Sequence, residues 1–125
     1  TTGYRRLVIA LSVVSVVLLA ATCKFFWDWA SLHVRVAFAS EQMEIFEEQR
    51  RSALTADPVG AALELEYIVG YYPTGTKQIP GSRLDKIVER QRAQAVRDIV
   101  AYLRAKTGED LGDDPQKWIQ KYAKH

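Results

Sequence analysis

The sequence predicts an all-α protein: an N-terminal transmembrane helix that continues into a small soluble helical domain of about three further helices. Three observations lead there. No stretch of useful length alternates apolar and polar residues as a half-buried strand would. Beyond the N-terminal run, apolar residues recur at intervals of three and four. Glycine and proline are absent between Gly3 and Pro58, and afterwards fall where helices would begin and end.

The first element is apolar. Leu7 to Ala21 reads LVIALSVVSVVLLAA, ten Val, Ile or Leu side chains without a charge. These contribute about −3 to −6 kcal/mol towards membrane insertion. Fifteen residues rise only about 22 Å, short of a hydrocarbon core of about 30 Å. Extension through Phe25, Phe26 and Trp27 reaches about 31 Å. Lys24 can then snorkel, and Phe25, Phe26, Trp27 and Trp29 form an interfacial aromatic belt. Arg5, Arg6 and the small residues of LAAT also fit a secretory signal peptide. The aromatic extension favours an uncleaved signal anchor over residues 1–29, followed by the helical domain over residues 30–125. The basic start predicts a cytoplasmic N-terminus and a C-terminal domain outside the cytoplasm, in a single pass through the cell inner membrane. Cys23, the one cysteine, allows no internal disulfide and reads as a small apolar residue at the membrane edge.

With no breaker before Pro58, the anchor helix is expected to run on, ending by about Leu54. Residues 7–54 would then span about 72 Å, with WDWAS (Trp27–Ser31) as the one weak point. In its polar half, Phe38, Gln42, Ile45, Phe46, Gln49 and Ala53 share a face. Asp57 is the expected N-cap of the next helix and Pro58 its first residue. That helix, PVGAALELEYIVGYY, sets Leu63, Tyr67, Ile68 and Tyr71 on one stripe and stops at Pro73. Pro73 to Ser82 holds two prolines and two glycines in ten residues and reads as a loop.

Ser82 is the expected N-cap of the longest soluble helix, whose buried face is Leu84, Ile87, Val88, Ala95, Ile99, Val100 and Leu103. Gly108 closes it. In GEDLGDDPQKW, Asp114 and Pro115 open a last helix that carries Trp118, Ile119 and Tyr122 on one face. Glu109, Asp110, Asp113 and Asp114 lack the alternating ligand spacing and distal Glu of a calcium loop, so this acidic cluster reads as helix punctuation.

Charge is segregated in a protein of net charge +2. Residues 34–76 carry three Arg against seven acids, a balance of −4, and residues 77–106 carry eight bases against three acids, a balance of +5. The acidic face of Glu41 to Glu48 is expected to lie near the basic helix. A competing use for that helix, residues 83–106, is binding of nucleic acid or anionic lipid through Arg83, Arg90, Arg92, Arg97 and Arg104. No aromatic residue interleaves with these arginines, which argues against nucleic acid.

The inventory holds no catalytic constellation. His33 and His125 have no partner at metal-ligand spacing, and Gly75-Thr76-Lys77 lacks the framing of a phosphate loop. No cofactor and no metal are expected. Tyr71, Tyr72 and Pro73 are the candidate protein-contact cluster, with Arg83, Arg90 and Arg97 as candidate cationic contacts. The function expected is a membrane-tethered interaction module or accessory subunit, not an enzyme, with the bilayer and an unidentified protein as partners.

The ending TGEDLGDDPQKWIQKY resembles the Thr-Gly…Gly-x-Asp…Trp close of some bacterial helical proteins, including those that end HEAT-type repeat arrays. The longer run from Tyr71 to Trp118 resembles uncharacterised single-pass membrane-anchored bacterial proteins. The helix ending Tyr-Tyr-Pro is similar to those of tetratricopeptide-like repeats, although no second copy occurs at a period of about 30–45 residues. These resemblances imply an anchored helical domain and assign no active site.

Overall fold

The computed structural model describes residues 1–125 and contains four helices: α1 (Thr2–Ala53), α2 (Pro58–Gly70), α3 (Arg83–Thr107) and α4 (Pro115–Tyr122). The fold is all-α, as expected. It divides into two units, Thr1–Val34 and Arg35–His125.

The first unit is helical from Thr2 onward. This part of α1 is long and apolar enough to cross a membrane, and none of its most apolar stretch is buried within the protein. Its two hydroxyl groups of note turn back on the helix. Ser12 Oγ donates to the Val8 carbonyl and Thr22 Oγ1 to the Leu18 carbonyl, each at 2.8 Å. Such back-bonding satisfies these two hydroxyls within the helix, as an apolar environment requires. Phe26 packs against Trp29, and Trp29 stacks on His33 at 5.4 Å. At the weak point Trp27–Ser31 the helix is unbroken, and it ends at Ala53. Each N–H keeps its partner four residues back, so the residues capable of capping a new helix there do not do so.

In the second unit, the residues expected as punctuation punctuate. Asp57 Oδ1 accepts from Gly60 N–H at 2.8 Å, with Pro58 opening α2. Ser82 Oγ accepts from Asp85 N–H at 3.2 Å and opens α3. Gly108, at φ +71°, turns α3 off with its N–H on the Arg104 carbonyl. Asp114 Oδ1 accepts from Gln116 N–H at 3.0 Å and opens α4.

The core forms where Phe46 and Ala53 of α1 meet Ala61, Leu65 and Ile68 of α2, Val88, Ala95, Ile99 and Leu103 of α3, and Trp118 of α4. Trp118 is fully buried and its Nε1–H donates to the Gly112 carbonyl at 2.8 Å. Tyr102 Oη donates to the Ala56 carbonyl and ties α3 to the α1–α2 turn.

Three expected faces are corrected. The buried stripe of α2 is Ala61, Ala62, Leu65 and Ile68; Leu63 is only partly buried and Tyr67 is exposed. Small Ala side chains allow close helix approach, and Leu65, flanked by Glu64 and Glu66 in sequence, inserts together with Ile68. Phe38 and Ile87, placed on buried stripes by spacing, stand at the exposed rim. Finally, no ion pair joins Glu41 to Glu48 with the basic residues of α3. The one bridge between these helices has the opposite polarity, Arg50 to Asp98 at 3.6 Å. Arg50 also chelates Glu47, and that pair holds the Glu47 carboxyl below its usual pKa.

Candidate functional site

α2 ends earlier than its sequence pattern suggests, and that difference builds the site. The helix stops at Gly70; Tyr71 is extended (φ −73°, ψ 111°) and Tyr72 adopts φ +39°. A residue before proline is sterically disfavoured from the α region, so Tyr72-Pro73 could not prolong the helix. The freed carbonyls are collected by a buried arginine of α3. Arg92 donates Nη1–H to the Ile68 and Tyr71 carbonyls, at 2.7 and 2.6 Å, and Nη2–H to the Tyr72 carbonyl at 2.6 Å. Glu89 balances its charge at 3.2 Å, and its guanidinium lies 4.8 Å from the Phe46 ring centroid. The guanidinium of Arg92 thus caps the C-terminus of α2, a role that sequence spacing gave no means to see.

The following loop is held from beneath. Asp85, buried near the start of α3, accepts from Gly75 N–H at 3.2 Å and Gly81 N–H at 3.0 Å. Gln78, also buried, donates Nε2–H to the Arg35 carbonyl at 2.7 Å. Gly75 sits at φ +82°, and a Cβ there would meet Pro80 Cγ at 2.6 Å, so only glycine fits.

Beside this loop lies an aromatic groove of about 660 Å³, lined by Leu63, Glu66, Tyr67, Gly70, Tyr71, Tyr72, Pro73 and His125. Tyr67 stacks on Tyr71 at 5.4 Å, and Tyr71 meets Tyr72 edge-on at 4.7 Å. Burial is the main cause that raises the Tyr71 phenol pKa. Lys77 Nζ lies 4.0 Å from the Tyr72 ring centroid and closes the far side of that ring. His125 Nε2 sits 3.2 Å from Glu66 Oε1 at the rim. Sequence reading found Tyr71, Tyr72 and Pro73. It did not find Tyr67, Glu66 or His125 as their neighbours, because their convergence depends on where α2 stops.

The expected cationic contacts lie elsewhere. Arg83 and Arg90 line a separate concavity of about 470 Å³ with Lys86 and Ile87, and Arg97 lines neither. Two arginines of the basic helix are committed inside the fold. Arg92 caps α2, and Arg104 holds Asp110 at 3.0 Å, Asp113 at 3.1 Å and the Gly112 carbonyl at 3.2 Å. The acidic cluster is accounted for residue by residue, since Glu109 pairs with Lys121 and Asp114 caps α4.

Fold and site together define a small helical domain with an exposed aromatic groove, in a protein whose N-terminal helix can cross a membrane. No protein-family model, curated protein or solved structure matches the sequence.

Proposed function

We propose that this protein is a membrane-tethered helical interaction module, an accessory subunit of a larger assembly without catalytic chemistry of its own. It sits in the cell inner membrane as a single-pass protein, N-terminus in the cytoplasm and helical domain outside. The observation that carries this reading is the tyrosine groove built around a strained residue. A left-handed conformation costs a non-glycine residue about 1–2 kcal/mol, and such strain concentrates at binding and switch sites. Tyr67 and Tyr72 are 47% and 44% exposed, and large aromatic side chains in open grooves are the side chains that protein interfaces favour. The groove would take an apolar side chain from a protein partner. Arg5 and Arg6 support the orientation, and the resemblance of the Tyr71–Trp118 run to single-pass membrane-anchored bacterial proteins supports the anchor.

The test uses Tyr72→Gly. Release of left-handed strain, about 1 kcal/mol, offsets the lost ring contacts. The variant should therefore melt near the wild-type temperature while losing the partner that copurifies in mild detergent. Tyr67→Ala should lose it as well. Unchanged copurification in both variants, or a wild-type protein that extracts as a partner-free monomer, would overturn the proposal. A reporter fused after His125 that is active in the cytoplasm would overturn the orientation alone.

A further inference from the structure

We propose that the outward face of α3 is a binding surface for anionic lipid headgroups, distinct from the tyrosine groove. The case rests on which charges of this helix remain uncommitted. Its three acids all have partners of their own: Asp85 the loop N–H groups, Glu89 Arg92, and Asp98 both Arg50 and Gln94. Arg92 and Arg104 are engaged within the fold. What remains is Arg83, Lys86, Arg90, Arg97 and Lys106, all exposed and none in an ion pair, with Arg97 donating only to the neutral Gln94 Oε1 at 2.8 Å. Spacings of three, four and seven put Arg83, Lys86, Arg90 and Arg97 on one helical face, from which Lys106 is turned away. Ile87, 38% exposed, stands among the first three and shares their concavity of about 470 Å³.

Four uncompensated cations on one face attract a polyanionic surface, and arginine pairs with phosphate in a bidentate fork. Two observations favour lipid over nucleic acid. No aromatic residue lies on this face to stack a base, whereas an exposed Ile among cations suits the boundary between headgroups and acyl chains. The same protein also carries a helix able to cross a bilayer, which would present headgroups at high effective concentration. This last point rests on α1 being membrane-spanning, so the experiment must read the two separately.

The full-length protein is held in a non-ionic amphipol, which covers the apolar part of α1 whether or not that helix spans a bilayer. It is then mixed with sucrose-loaded vesicles of phosphatidylcholine alone or with about one-third phosphatidylglycerol. Sedimentation with the anionic vesicles alone is expected at about 50 mM salt, falling steeply by about 300 mM as screening sets in. Each substitution in the series Arg83→Gln, Lys86→Gln, Arg90→Gln and Arg97→Gln should weaken partitioning about fivefold, the effect of one basic residue near an anionic surface. All four sites are exposed helix positions where Gln is well tolerated, and an unchanged melting curve verifies the fold. A fourfold variant that sediments like wild type, or a wild-type protein that binds single-stranded RNA but not anionic vesicles, would overturn the lipid surface. Alkaline extraction of cell membranes reads the span independently.

Discussion

Arg92 shows how much one residue can organise. Its guanidinium satisfies three carbonyls released where α2 stops, and it does so while buried. Arg92→Ala should cost about 3 kcal/mol, because those oxygens lose charged donors and little water reaches them. Arg92→Lys should recover less than half of that, since one ammonium cannot span three acceptors with the geometry of a fork. Thermal unfolding of the full-length protein in detergent, followed by near-ultraviolet circular dichroism, measures both. Gln42 is the opposite case. It is buried and its Oε1 has no hydrogen-bond partner. An apolar replacement of similar shape removes an unsatisfied group, so Gln42→Met should raise stability by about 1 kcal/mol in the same assay.

Among the elements, α4 is the shortest, and the contributions that hold it differ in kind. Trp118 is fully buried, and Trp118→Ala should destabilise the domain by about 3–5 kcal/mol through lost burial and the cavity left behind. The ionic contacts around it are exposed and act chiefly on acid response. The hydrogen bond from Lys121, and then that from Tyr122, lower the Glu109 pKa. The Gly112 N–H, and then Arg104, lower that of Asp110. Both carboxyls therefore lie below their ordinary values of 4.5 and 3.8 when folded. Their stabilising effect is complete above those values and is lost as pH falls through the folded ones. Emission of Trp118, read in a variant with Trp27→Phe and Trp29→Phe, should stay constant from pH 8 to about 5 and change only below about 4. Glu109→Gln should reduce that acid sensitivity and leave the neutral-pH melting curve nearly unchanged, because exposed pairs contribute little.

For the molecule as a whole, the decisive question is whether the N-terminal part of α1 resides in a bilayer. Val14 lies midway along its most apolar run. Val14→Arg should shift insertion unfavourably by about 3 kcal/mol, and should move the protein from the alkaline-resistant membrane fraction to the extractable one. The mass of the wild-type protein recovered from membranes should still include Leu7 to Ala21. Loss of that stretch would instead identify a cleaved signal peptide.

Local chemistry was readable from the residues alone. Every cap expected, at Asp57, Ser82, Gly108 and Asp114, is used as a cap, because capping is settled by a few adjacent atoms and the backbone they bond. The unbroken α1 was equally readable, since helix continuity depends on the absence of breakers within a few residues. Tertiary structure decided the rest. Which stripe of α2 is buried, that Arg92 turns inward, and where Tyr67, Tyr72 and His125 converge all depend on partners at least twenty residues away in sequence or on the exact end of a helix. The opposite charge of α1 and α3 suggested that the acidic face of Glu41 to Glu48 lies near α3, yet the one ion pair between these helices joins Arg50 to Asp98. Net charge is a property of a segment, whereas an ion pair needs two side chains on facing surfaces, and helix rotation about its own axis decides that. Rotation is set by packing of the apolar core, a long-range condition that no single segment contains.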